Sequence, residues 1–201
     1  MLNIGIIPDG NRKYAAQKGI SLASSYKEGA IVAKKIVREA LARKDVGSIV
    51  FYALSKENYA NRSSAEIQAI LFGFGEAVKR FKKIEGLSMS CIGDTSTPEL
   101  VKYFQSTQFS PRTSKLDVRF LFNYSHTWDF EGSPVQSAAV PAIDLVIRTN
   151  NQPHLSGFLP YQTAESRLYF TEGHWPEFTI DKFNHILEDY QNNWKRRIPG
   201  K

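Results

Sequence analysis

The chain has 201 residues, 42% hydrophobic and 23% charged, with a net charge of +6. That balance suits one globular domain over residues 1–201, and no apolar run approaches the roughly 20 residues that a membrane-spanning helix needs. The single cysteine, Cys91, excludes an intrachain disulfide and reads as a small buried residue in an apolar run.

The N-terminus, MLNIGIIPDG, has no basic segment followed by a long apolar one, which points to the cytoplasm rather than to secretion. Leu2–Pro8 is apolar without alternation and reads as a strand buried on both faces. Residues 28–44 place Ile31, Ile36, Val37, Ala40 and Leu41 on a helical period. Ser48–Leu54 is the second strand. A longer helix is expected over Ala65–Lys83, with Ser63 or Ser64 as cap and Glu66 in the first turn. Leu87–Gly93 is a third strand and Thr97–Gln105 a short helix. Ser106–Lys115 reads as a loop, Val118–Asn123 as a strand, Asp129–Pro141 as a loop and Ile143–Ile147 as a fifth strand. Thr179–Arg197 closes the chain as a helix. Such alternation implies an α/β fold with a mainly parallel central sheet flanked by helices.

A surplus of cations suits phosphate-bearing ligands, an anionic membrane surface or nucleic acid. The basic residues are scattered, apart from Lys195, Arg196 and Arg197, and no nucleic-acid fingerprint occurs, so no nucleic-acid partner is expected. A peripheral membrane contact stays open.

In open α/β sheets, ligands bind beyond the carboxyl ends of the strands. Here those ends read Pro8-Asp9-Gly10-Asn11-Arg12-Lys13, Ser55-Lys56-Glu57-Asn58, Gly93-Asp94, Asn123-Tyr124-Ser125-His126 and Arg148-Thr149-Asn150-Asn151. Together they place an acid, amides and cations around one rim. Gly10 lets backbone N–H groups approach an anion. Arg12, Lys13, Arg62 and Arg148 suit phosphate oxygens, and Asp9 suits Mg²⁺ bridging a carboxylate and a diphosphate. Neither a Walker A sequence nor a G-x-G-x-x-G turn is present. His126, His174 and His185 have no metal-ligand spacing and read as surface residues. Trp175 reads as packing, and Trp128 as a cover for the site.

IIPDGNRKYAAQKG, FYALSKENYANR, CIGD, FNYS and DLVIRTNNQPHLSGFLPYQTAESRLYFTEGHWPEF follow one another in order. They resemble, across almost the whole chain, the motifs of the cis-prenyltransferase (undecaprenyl diphosphate synthase) family. The resemblance implies a homodimer with an apolar tunnel that binds allylic prenyl diphosphates and, in the usual reaction, isopentenyl diphosphate. By the same resemblance Asp9 holds Mg²⁺ and the leaving diphosphate. Gly10, Asn11, Arg12 and Lys13 bind the allylic diphosphate. Asn58 with Ser55 assists proton removal. Arg62 matches an arginine displaced by one insertion, and Arg148 and Ser156 bind the second diphosphate.

The departures bear on the reaction. Positions where the family carries a phosphate-touching Arg and His read Leu22 and Tyr26. A glycine pair is Asn150-Asn151, the second phosphate arginine is His154, and a metal-binding Glu is Arg167. The connection from Asn123 to Asp144 is short, so a peripheral helix is expected to be missing. The opening PDGNRKYAAQKGISLASSY resembles the short members that couple two allylic diphosphates head-to-middle, the lavandulyl and cyclolavandulyl diphosphate synthases. The expectation is a short-chain, branched or cyclic product. The rival readings are a catalytically degenerate partner subunit, and a cyclase or a prenyltransferase acting on a non-isoprenoid acceptor.

Overall fold

A computed structural model describes residues 1–111 and 113–194. Among these residues six strands form one sheet: β1 (Leu2–Ile7), β2 (Val46–Ser55), β3 (Leu87–Ile92), β4 (Leu116–Tyr124), β5 (Leu145–Arg148) and β6 (Arg167–Phe170). Their order is β3-β4-β2-β1-β5-β6, and every neighbouring pair is parallel. Chain order reverses at β1, which lies between β2 and β5.

The expected strands lie where their apolar runs placed them. Alternate residues bury against opposite layers, as a doubly covered sheet requires. Ile4, Ile6, Phe51, Phe120 and Ile147 join one core with α2 (Leu22–Ala42), α4 (Ser64–Phe81), α5 (Pro98–Thr107) and α7 (Ile180–Asp189). Ile7, Val50, Tyr52, Leu121 and Val146 join another with Phe158 and Leu159. Gly5 serves this second core, since a Cβ there would lie 2.5 Å from the Phe158 ring.

Several boundaries correct the expectation. α2 begins six residues before Glu28, because the Ser21 side chain accepts from the Ser24 N–H and caps it. α4 carries the expected cap in full: Ser63 and Glu66 satisfy each other's backbone donors. α5 continues two residues past Gln105, and Phe109 then bridges Met89. Cys91 is half-buried rather than buried, and burial still pushes its thiol up to about 12. α7 ends at Asp189 in a π-helical turn, Tyr190–Trp194, and the expected Lys195, Arg196 and Arg197 lie outside the described residues.

Three helices and one strand carried no legible signal. α1 (Asn11–Lys18) buries only Asn11 and Ala15, so it has no apolar stripe. α3 (Lys56–Asn61) and α6 (His126–Phe130) span six and five residues. β6 has four residues, none of them fully buried.

The short connection after β4 is organised by Asp129, which is wholly buried. It accepts from the Tyr124 hydroxyl at 2.7 Å and from the Ser137 N–H and hydroxyl, each at 2.7 Å. Gln162 then donates to Ser137 at 2.9 Å. Asp129→Ala leaves three donors without an acceptor and is expected to cost about 3 kcal/mol. Urea denaturation reads this as a lower midpoint at unchanged slope.

Candidate active site

The end of β1 is pinned before any side chain acts. The Asp9 N–H donates to Thr149 Oγ1 at 2.9 Å, and the same hydroxyl donates to the Asp9 carbonyl at 2.7 Å. The Trp175 N–H donates to that carbonyl as well. Asp9 is thereby held at the point where chain order reverses.

Its carboxylate takes two donors. Oδ1 accepts from the Gly10 N–H at 2.7 Å, and Oδ2 accepts from Arg148 Nη2 at 2.8 Å. Arg148 is the last residue of β5, and its side chain is 7% exposed against 34% for Asp9. Arg148 Nη1 donates to the His154 carbonyl at 2.5 Å and to Ser156 Oγ at 2.8 Å, and it lies 3.2 Å from His154 Nδ1. Among the described residues its buried Nε has no hydrogen-bond partner.

Gly10 has a φ of 99°, and a Cβ there would lie 2.6 Å from His174 Nδ1. It precedes α1 and provides no side-chain cap, so no capping side chain occupies the first-turn N–H groups. Asn11 fixes this turn. Its Nδ2 donates to the Pro8 carbonyl at 3.1 Å, and its own carbonyl accepts from the Ser25 hydroxyl at 2.8 Å. Arg12 pairs with Glu66 at 3.0 Å on an exposed face, and Lys13 is exposed at the rim.

The second corner follows β2. Ser55 caps α3 by accepting from the Asn58 N–H at 3.0 Å. Arg62 Nε donates to Asn58 Oδ1 at 3.1 Å, and Nη1 donates to the Tyr26 hydroxyl at 3.1 Å. α3 is tied down by Lys56, which bonds Asp94 at 2.5 Å. That hydrogen bond, with help from Ser96, holds the Asp94 carboxyl at about 2.

These corners share one cavity of about 810 Å³. Asp9 to Lys13, Tyr26, Ser55, Asn58, Arg62, Arg148, His154 and Ser156 line its polar part. Ala30, Ala33, Phe51, Ile70, Phe74 and Phe120 line its apolar part. A close helix contact shapes this wall: a Cβ at Gly73 would lie 2.6 Å from the Tyr26 Cβ and 3.1 Å from the Tyr26 carbonyl oxygen.

Arg167 is the exception among the sequence-derived candidates. It pairs with Leu145 at the amino end of the sheet, whereas Phe170 pairs with Arg148. Three strand residues, roughly 10 Å, separate the two levels. The Arg167 guanidinium lies 3.6 Å from the centroid of the Trp194 ring, a cation–π contact, and this chain does not bring it to the cavity. Trp128 also departs from expectation, because it packs with Tyr124 in the second core and does not line the cavity.

Two lining residues read from the sequence as something else, His126 as a surface residue and Trp175 as packing. His126 opens α6 at the cavity mouth, and its one sequence signal was the serine cap before it. Trp175 lines the cavity while donating Nε1–H to the Gly29 carbonyl at 2.9 Å. The change from a glycine pair to Asn150-Asn151 leaves the backbone left-handed, with φ of 70° and 46°. Asparagine tolerates that region because its side chain bonds locally.

The prenyltransferase family model described as undecaprenyl diphosphate synthase matches residues 7–139 and 132–198. The chain belongs to the undecaprenyl diphosphate synthase family of prenyltransferases. It is thus a prenyl diphosphate transferase. The two matched segments meet at 132–139, inside the shortened connection after α6. The ditrans,polycis-undecaprenyl-diphosphate synthase ((2E,6E)-farnesyl-diphosphate specific) of Pasteurella multocida is 31% identical over 229 positions, covering 96% of this chain and 93% of that one. The tritrans,polycis-undecaprenyl-diphosphate synthase (geranylgeranyl-diphosphate specific) of Pyrobaculum aerophilum is 29% identical, covering 96% and 94%. The crystal structure of lavandulyl diphosphate synthase from Lavandula x intermedia in complex with dimethylallyl diphosphate has the same fold. Its TM-score is 0.82 at 21% identity, with 96% of this chain and 95% of that one covered.

Gly10→Ala forces a Cβ against His174 and strains a left-handed residue. It is expected to lower stability by about 1–3 kcal/mol and to weaken binding of inorganic diphosphate. Thermal melts and calorimetric titration measure the two effects separately.

Proposed function

We propose that the protein binds an allylic diphosphate at the start of α1 and transfers its prenyl group to form a short-chain isoprenoid diphosphate, branched or cyclic. The observation that carries this reading is that Asp9 and the uncapped α1 turn share one cavity with an apolar wall.

The first-turn N–H groups of α1 receive the diphosphate, with Arg12 and Lys13 at its edge. The apolar wall orients the prenyl tail and keeps water from the allylic cation that forms when the diphosphate leaves. A short product is in keeping with the bulky lining of the apolar part, where Phe120 packs against both Phe51 and Phe74. Arg148 and Ser156, with His154, face the second substrate.

Mg²⁺ fits in one mode. Among the described residues no three metal-ligating side chains converge. Asp9 is a single carboxylate, so it would hold the ion together with substrate phosphate oxygens, a usual arrangement for this cation. When bound, the ion neutralises charge developing on the departing diphosphate. We further read the protein as a cytoplasmic homodimer.

The test incubates the purified protein with Mg²⁺ and dimethylallyl or geranyl diphosphate, with and without isopentenyl diphosphate, and identifies products by mass spectrometry. A short product is expected, reduced at least about 100-fold in Asp9→Ala. A product of many isoprene units would overturn the short-chain reading. No product under any pairing would favour the partner-subunit reading.

A further inference from the structure

Prenyl transfer to an isoprenoid acceptor ends in the loss of a proton, and that proton needs a base. The bond from the allylic C1 to the diphosphate oxygen breaks, and its electron pair leaves on the oxygen. The acceptor's double bond supplies the pair for the new C–C bond, which leaves a cationic carbon beside it. A neighbouring C–H bond then breaks, its pair forms the new double bond, and the proton departs.

Most acceptor atoms around the cavity are already occupied. Asp9 Oδ1 and Oδ2 accept from Gly10 and Arg148. Asn58 Oδ1 accepts from Arg62. A guanidinium carries donors and no acceptor, so His154 Nδ1, 3.2 Å from Arg148 Nη1, must accept there. In a neutral imidazole that arrangement puts the ring proton on Nε2, so His154 has no free lone pair.

His126 differs. It lines the same cavity, and among the described residues neither of its ring nitrogens has a hydrogen-bond partner. Its ring meets Phe130 edge to face, 6.4 Å between centroids. It also packs on the loop that carries Ser156, whose Oγ accepts from Arg148 at 2.8 Å. The next residue, Gly157, has a φ of 74°, and a Cβ there would lie 2.6 Å from His126 Nδ1. The bare Cα is what admits the imidazole. Nδ1 is the ring atom nearest Gly157, which leaves Nε2 farther out. Glu57 lines the cavity too, but from α3, at the corner after β2. The proton leaves the second substrate, which the reading above places at the Arg148 corner, beside His126.

We infer that His126 is the base that takes the proton from the prenyl acceptor, at Nε2. Its exposure lets water carry the proton away afterwards. The inference rests on the prenyl-transfer reading above and names a further catalytic residue for it.

Steady-state kinetics of the full chain with Mg²⁺ and dimethylallyl diphosphate, alone and with isopentenyl diphosphate, test it. His126→Ala is expected to lower kcat about 100-fold and to change KM less than about twofold. Free imidazole in the buffer is expected to recover about tenfold of that loss. His126→Gln fills the space without a group that takes a proton. It is expected to lose as much and to gain nothing from imidazole. The melting temperature holds in both variants, since the side chain is exposed. Wild-type kcat in both variants would overturn the inference alone, as would a loss confined to KM or a His126→Ala variant that imidazole does not rescue. A wild-type protein that forms no product in either mixture would overturn the base and the prenyl-transfer reading together.

Discussion

Arg148 ends a central strand with its side chain almost wholly out of solvent, and a guanidinium in such a place needs a carboxylate and further acceptors. Asp9 supplies the carboxylate from the neighbouring strand, and the His154 carbonyl and Ser156 hydroxyl supply the rest. This one ion pair joins the ends of β1 and β5 and the following loop. It therefore fixes how the reversal point of the sheet opens toward solvent. The α1 turn inherits its position from it, since Gly10 donates to the other Asp9 oxygen. The most exposed member of the pair is also the one proposed to meet Mg²⁺, so the constraint that builds the site also shapes its chemistry.

A second set of contacts holds the opposite wall. Asp94, at the end of β3, anchors Lys56, and Lys56 opens the helix that carries Asn58. The Ser55 cap and the Arg62 bonds complete that wall. Each link runs between a strand end and a short helix, which lets three sheet segments distant in sequence converge on one cavity. The shortened connection after β4 stays ordered by another route, through a buried carboxylate with three donors. The buried Asp129 is tolerated there because both of its oxygens accept from donors.

Much of the fold was legible because strands buried on both faces leave continuous apolar runs, as Ile4-Gly5-Ile6-Ile7 and Leu145-Val146-Ile147 do. The long helices were legible through their apolar stripes. α1, α3, α6 and β6 were not, because they are short or bury little, and their places are set by what they pack against. The site residues around the strand ends were legible as a set, through the motifs and the α/β pattern. Their pairings were not. Nothing in the spacing of Asp9 and Arg148, 139 residues apart, says that one answers the charge of the other.

Arg167 shows most clearly where the sequence ran out. Aligned by motif it belongs with the diphosphate groups, yet its register in β6 puts it at the other end of the strand, over Trp194. His126 is the converse, a residue read as surface that folding brings into the cavity lining. The sequence by itself determined the α/β class, the strand ends that carry polar groups and the family. Tertiary structure alone decided which of those groups share a cavity, which carbonyls and hydroxyls are already spent, and which donors remain. Hydrogen-bond polarity and burial depend on partners contributed from distant segments, and a linear pattern does not encode those partners.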